Sequence, residues 1–170
     1  MGHNEAPADV DEREEAVPAM TTDVATEHTT IDAPPQTCFD VAIDFDAYPE
    51  WARGIKEVEV VTRDSQGRGT VVRYRAAAMG RSTTYLLGYD YSKAPGELSW
   101  RLLQGDITRK LDGRYVFGAG EDPQQTDVVY ELEVELVIPL PSFVKRRAEG
   151  LIMTQALPEL KARVEAVART

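Results

Sequence analysis

The chain has 170 residues, 42% of them hydrophobic, and a formal net charge of −10. That length and apolar content suit one domain with a core, and the negative balance excludes a nucleic-acid-binding face, because phosphates need basic partners. One cysteine excludes an intramolecular disulfide framework, and two histidines, His3 and His28, put a histidine-rich metal site out of reach.

No run approaches the ~18 apolar residues of a membrane span. The first residues lack the basic-then-apolar order of a signal peptide, and Ala6 stands where a myristoylation pattern needs Ser or Thr. A soluble, cytoplasmic protein is the expectation.

Residues 1–22 are acidic, with Asp9, Asp11, Glu12, Glu14 and Glu15 close together and few large apolar side chains. Such a composition cannot bury enough surface to offset the entropy of ordering, so it predicts a disordered acidic tail. Residues 23–170 are then the folded domain. Val24–Ile31 is β-prone and partly alternating, a first strand. His28 lies in it, where a histidine is ordinarily structural or exposed. Asp32-Ala33-Pro34-Pro35 turns the chain and starts a helix to about Ile43, with Cys38 as a small buried side chain. Asp44–Trp51 is a second short helix or pair of turns whose aromatics plug the end of a sheet. Asp44, Asp46 and Glu50 match no metal-loop spacing; helix caps and solvated faces account for them.

Six strands follow, near 55–63, 69–79, 82–91, 97–104, 108–118 and 127–138, separated by short turns rich in Gly, Asp and Pro. Short turns predict antiparallel neighbours. The last strand has the clearest period of two: Tyr130, Leu132, Val134 and Leu136 alternate with Glu131, Glu133 and Glu135, giving one apolar face and one wet face. The same alternation puts Val58, Val60, Val72, Tyr74, Tyr85, Leu87, Tyr89, Leu98, Trp100, Leu102, Tyr115 and Phe117 on the inner side.

Pro141 to Val167 closes the chain. Val144, Ala148, Ile152, Ala156, Leu160 and Val164 recur every four residues, with Leu151, Leu157 and Val167 beside them, and most charges, Glu149 and Glu159 among them, are assigned elsewhere on the helix. At ~1.5 Å per residue this is about 40 Å of amphipathic helix. Pro158 predicts a kink and Gly150 a weak point. The stripe needs a partner surface. It either caps an ordinary core or lies across a curved sheet as the lid of an apolar pocket.

Three segments, IDAPPQTCFDVAIDFDAYPEWA, SWRLLQG and LDGRYVF, together with TDVVYELEVEL and the helix GLIMTQALPELKARVEAV, resemble the START-like superfamily. This is the polyketide cyclase/dehydrase and lipid-transport, or helix-grip, group, and the similarity is nearest its coenzyme Q-binding and cyclase-like branch. Asp46, Tyr48, Pro49 and Trp51 form the most telling local match. The resemblance implies an α+β helix-grip fold: a curved seven-stranded antiparallel sheet wrapped around a long C-terminal helix, with two short helices after the first strand and a cavity between. It implies binding or transport of a lipid, quinone or polyketide-like molecule, and no catalytic role is carried over to Trp51, Trp100, Gly113 or Tyr115.

The expected cavity lining is Tyr74, Tyr85, Leu87, Tyr89, Trp100, Tyr115, Phe117, Tyr130, Leu132, Ile152 and Ala156. If chemistry occurs, Tyr74, Tyr85, Tyr89, Tyr130, Arg101 and Arg109 are the polar candidates, but a tyrosine with pKa near 10 is a poor base. No Ser-His-Asp, Cys-His or phosphate-cradling loop is present, and no cofactor or metal is expected. Three functions stay open: a hydrophobic-ligand binder, a polyketide cyclase or aromatase, and a ligand-free interaction module. An empty void favours the first two, and Arg or Asp groups inside it favour the enzyme. Lys145, Arg146 and Arg147 open the helix, where cations oppose its dipole. They form either a solvated patch or a transient membrane-surface contact with Leu140 and Phe143.

Overall fold

The first strand does not pair with the second. In the computed structural model, which describes residues 23–78 and 80–170, β1 (Asp23–Ile31) lies antiparallel beside the last strand, β7 (Thr126–Leu136), with Asp23 opposite Val134 and Ile31 opposite Thr126. Between them in sequence come α1 (Pro35–Ala42), a 3₁₀ turn (Phe45–Ala47), α2 (Tyr48–Trp51), then β2 (Ile55–Arg63), β3 (Gly69–Ala78), β4 (Arg81–Asp90), β5 (Glu97–Gly105) and β6 (Thr108–Ala119). The sheet order is β1-β7-β6-β5-β4-β3-β2, antiparallel throughout. The segment from α1 to α2 therefore carries the chain from one edge of the sheet to the other. Short turns between β2 and β7 leave each strand no choice but its sequence neighbour.

The chain ends in α3 (Ser142–Ala168), 27 residues long, which packs on β1, β7 and α1. The fold is thus the α+β helix-grip arrangement: a seven-stranded antiparallel sheet, two short helices after the first strand, and one long helix. Strand ends fall within two residues of the sequence reading. The largest difference is at β7, which stops at Leu136 with Pro139 and Pro141 close behind, unable to donate to a ladder. The expected acidic tail and the residue Met79 lie outside the described residues. Among the described residues, no helix is long and apolar enough to cross a membrane.

Local chemistry explains the turns. In the β2–β3 connection the Asp64 carboxylate accepts the N–H groups of Gln66 and Arg68, both at 2.9 Å, and the Arg68 guanidinium at 2.8 Å. Gly67 there has φ of 82°, a left-handed conformation that costs glycine little. The outer face of the sheet carries cross-strand ion pairs: Arg75 with Glu57 at 2.6 Å, Arg114 with Glu131 at 2.7 Å, and Arg73 with Glu59. Two of the three carboxylates near the short helices, read as caps or solvated faces, are ion-paired at the surface. Asp46 faces Arg63 at 3.6 Å and Glu50 faces Arg163 at 3.3 Å. His28 is exposed on β1.

The inner face of the sheet holds the core. Ile31, Cys38, Leu98, Val128 and Val134 join Leu157, Leu160 and Val164 of α3 in one buried cluster, while Phe45, Val72, Tyr74 and Leu87 form a second toward β2. Four readings of the sequence need correction. Leu151 and Val167, placed beside the apolar stripe, are 64% and 38% exposed. Glu149, assigned to the polar side, is 3% exposed; it lies one helical turn from Ile152 and so shares the inward stripe. Glu135, expected on the wet face, is also buried and reaches Arg109 at 3.7 Å. The helix itself runs unbroken through Pro158, whose ring nitrogen leaves the Thr154 carbonyl without its usual helical partner.

Candidate functional site

The two clusters do not meet as a solid interior. Between them, under the middle of α3, is a cavity of about 220 Å³. Its wall is drawn from nearly every element. The sheet contributes Tyr74, Tyr85, Leu87, Tyr89, Leu98, Trp100, Leu111, Tyr115, Tyr130 and Leu132; α3 contributes Ile152, Gln155, Ala156 and Glu159; Tyr48, Trp51 and Ala52 close one end.

Period-two alternation is what brings these side chains together. Tyr85, Leu87 and Tyr89 are alternate residues of β4, and Tyr130 and Leu132 are alternate residues of β7, so each strand offers one row to the hollow. The rings then lean on one another: Tyr74 stacks on Tyr85 at 5.3 Å between centroids, Trp100 lies 5.3 Å from Tyr115, and Tyr115 lies 5.0 Å from Tyr130. Gly113 makes room for this. It pairs directly with Trp100 across β5 and β6, and a methyl group on it would come within 2.7 Å of the indole ring. Glycine is therefore needed there for close approach, not for turning.

Hydrogen bonding sorts the tyrosines into two groups. Tyr48 donates to the Ala42 carbonyl at 2.5 Å, and the Tyr74 and Tyr89 hydroxyls share a bond of 2.5 Å. The hydroxyls of Tyr85, Tyr115 and Tyr130 have no protein partner among the described residues. Burial pushes all five of Tyr48, Tyr74, Tyr85, Tyr89 and Tyr115 above the ordinary phenol range, and it does the same to Tyr130. They stay neutral and offer O–H donors. The Glu159 carboxylate adds to the rise at Tyr115, and both residues line the cavity. Thr83, also in the wall, donates its hydroxyl to Asp106.

Of the residues expected to line a cavity, Tyr74, Tyr85, Leu87, Tyr89, Trp100, Tyr115, Tyr130, Leu132, Ile152 and Ala156 are in this wall. Phe117 is elsewhere, buried behind Tyr115 with their rings stacked at 5.6 Å. Arg101 and Arg109 are exposed on the outer face, as the residues next to the inward Trp100 and Thr108 must be. Among the described residues the wall contains no Arg, Lys, His or Asp, and Glu159 is its one ionisable residue besides tyrosine. The sequence reading missed Tyr48, Trp51, Thr83, Gln155 and Glu159. Helical spacing held the signal for the last two, since Gln155 and Glu159 lie three and seven residues after Ile152; their polarity hid it.

A donor left over near the site is the Trp51 indole N–H, which is buried and without a partner among the described residues. At the other end of the helix stripe, the buried Glu149 carboxylate accepts the Leu136 N–H at 2.8 Å. Its pKa is pushed up to about 7, first by burial and then by the neighbouring Asp23 carboxyl, against the pull of the Leu136 N–H and Lys145.

Comparison with known proteins agrees with this architecture. A START superfamily protein from Mycobacterium smegmatis superposes with a TM-score of 0.76 at 24% identity, covering 86% of this chain and 99% of that one. The Zhui aromatase/cyclase from Streptomyces sp. R1128 superposes at 0.73 with 18% identity, covering 88% and 94%. A protein from Thermus thermophilus superposes at 0.72 with 24% identity, covering 86% and 99%. At these identities the likeness is one of fold. No curated protein matches the chain in sequence. The family profile described as "Polyketide cyclase / dehydrase and lipid transport" matches residues 22–165, nearly all of the described chain, and the protein is accordingly a member of that family.

Proposed function

We propose that the protein binds a small, largely apolar ring compound, of quinone or polyketide-like type, in the cavity beneath α3, and holds or carries it without changing it. The observation that carries this is the wall itself: aromatic and aliphatic on nearly every side, with neutral tyrosine donors, one carboxylate at Glu159 and, among the described residues, no cation within it. A cavity of ~150 Å³ can hold benzene, so about 220 Å³ suits a ligand of two fused rings. Burying about ten methylene equivalents contributes roughly 8 kcal/mol. Association costs about 4 kcal/mol or more, which leaves about 4 kcal/mol at most, an affinity of roughly millimolar. Native mass spectrometry of the purified full chain tests the reading directly. A co-purifying apolar compound, or saturable calorimetric binding of naphthalene, is expected; no bound mass and no heat with any ring compound sinks it.

Cyclase or aromatase activity is the second reading, favoured by the fold shared with the Zhui aromatase/cyclase. Against it stands the scarcity of proton-moving groups: among the described residues the wall has no Arg, His or Asp, which leaves Glu159 as its one carboxylate for a step that calls for a positioned base. Incubation with a reactive poly-β-ketone and analysis for aromatised product separates the two.

A membrane-surface contact is a further part of the proposal. Phe143 is 75% exposed, Leu140, Val137 and Leu151 are exposed near it, and Arg146 and Arg147 stand out between them. Lys145, Arg146 and Arg147 make no ion pair among the described residues. An apolar patch rimmed by cations suits an anionic lipid surface. Replacing all three with Gln should abolish sedimentation with vesicles rich in phosphatidylserine; unchanged sedimentation, or none by the parent protein, removes this contact.

A further inference from the structure

We infer that Glu159 sets the charge selectivity of the cavity, so that it takes neutral or cationic ring compounds bearing a hydrogen-bond donor and turns away carboxylates and phosphates. This rests on the cavity being a ligand site, and it narrows what that ligand is.

Among the described residues Glu159 is the only acidic or basic side chain in the wall, the wall tyrosines being held neutral by burial. One of its oxygens, Oε2, accepts the Arg53 backbone N–H at 3.2 Å. Its other oxygen has no partner among the described residues. The cation best placed to neutralise it, Arg163 one turn further along α3, is turned to Glu50 at 3.3 Å. The half-buried carboxylate therefore presents an unspent acceptor at the wall it shares with Tyr115. An anionic ligand would meet this carboxylate with no Lys, Arg or His among the described wall residues to offset it. A ligand hydroxyl or ammonium would instead complete the acceptor, in a charge-assisted bond stronger than a neutral one. Gln155, one turn before, can bond the same ligand group. The unpartnered hydroxyls of Tyr85 and Tyr130 serve carbonyl or ether oxygens elsewhere on the ligand, which neutral donors can do for many oxygenated rings.

The test is a calorimetric titration of the full chain at pH 7.5 with naphthalene, 2-naphthol, 2-naphthylmethylammonium and 2-naphthoate, repeated with Glu159→Gln. The parent protein should bind 2-naphthol about tenfold more tightly than naphthalene and 2-naphthoate about tenfold more weakly, each step being the weight of one charge-assisted contact. Glu159→Gln should raise 2-naphthoate affinity about tenfold and lower that of the ammonium compound by at least as much. The inference is overturned if the parent protein binds 2-naphthoate as tightly as 2-naphthol, or if a folded Glu159→Gln protein leaves their ratio unchanged. Should that variant fail to fold, the ratio in the parent protein decides alone. Binding of none of the four compounds removes the cavity reading, and the inference with it; equal binding of all four removes the inference only.

Discussion

The two halves of α3 have the same backbone and opposite surroundings. From Leu157 to Val164 the helix mostly follows the packing rules: Leu157, Leu160 and Val164 are buried with Ile31, Cys38 and Phe39, and of the charges between them Lys161 and Arg163 turn to Glu165 and Glu50 while Glu159 borders the cavity. From Phe143 to Ala156 it breaks them. Phe143 and Leu151 are exposed, Glu149 is buried, and Ile152 and Ala156 border empty space. A chain keeps such departures where packing is not the only demand. The packed half holds the helix to the sheet, and the other is available for a ligand beneath one face and a lipid surface on the opposite one.

The sharpest way to break this comparison is to truncate each half. Leu160→Ala in the packed half should cost about 3 kcal/mol, the usual weight of a fully buried leucine and the hole it leaves. Urea unfolding measures it, and naphthalene binding to the folded fraction should be unchanged. A cost under about 1 kcal/mol would mean that this half is as loosely filled as the other.

Glu149 comes next in size. Its carboxyl is held protonated in the folded chain up to about pH 7, whereas an unfolded glutamate loses its proton near 4.3. Between about pH 4.3 and 7 the native state thus binds more protons than the unfolded one, so this group's contribution to stability is present below that window and is lost as pH rises through it. Glu149→Gln keeps an acceptor for the Leu136 N–H and carries no charge. The variant should match the parent protein near pH 4 and exceed it by about 2 kcal/mol at pH 8, a figure below the full displacement at ~1.36 kcal/mol per pH unit because solvent screens part of it. Thermal melts across that range decide. Parallel curves for the two proteins would place Glu149 in water, not in the interior.

The sequence made the packed half easy to read and the other half hard, for one physical reason. Leu160 and Val164, the alternation of Tyr130 to Leu136, and the short turns of β2 to β7 each combine the right residue type with the right period, so pattern and structure agree. Ile152 and Ala156 were legible on the same ground, and so were the wall tyrosines of β4. Glu149, Gln155 and Glu159 sit at the same period, but their polarity argued for water. For Glu149, only the placement of Asp23 and Leu136 around it supplies the partners that make burial tolerable, and for the half-buried Glu159 the Arg53 N–H does the same. Phe117 illustrates the converse. Its alternation with Tyr115 puts it on the inner face, yet that face is longer than the hollow, and period alone does not say where the hollow ends.

Filling the hollow should cost less than emptying the core. Ala156→Leu adds carbon atoms where the wall has no neighbour to displace, so it should change stability by under about 1 kcal/mol, against the roughly 1–3 kcal/mol of overpacking a full interior. Naphthalene affinity should fall at least tenfold. A loss near 3 kcal/mol with binding intact would mean that the space lies away from Ala156.

The smallest effect on folding belongs to the outward side. Leu151 is 64% exposed and Phe143 75%, so replacing both with Ser removes almost no buried area and should move stability by no more than about 0.5 kcal/mol. Vesicle binding is where the change should appear, because these two side chains and Leu140 are the groups available to enter an acyl layer beside Arg146 and Arg147. A double variant that melts like the parent protein and no longer sediments with anionic vesicles assigns the exposed leucine and phenylalanine to the membrane. If it instead unfolds several degrees early, those residues are covered in solution, and the two halves of α3 are more alike than their burial makes them.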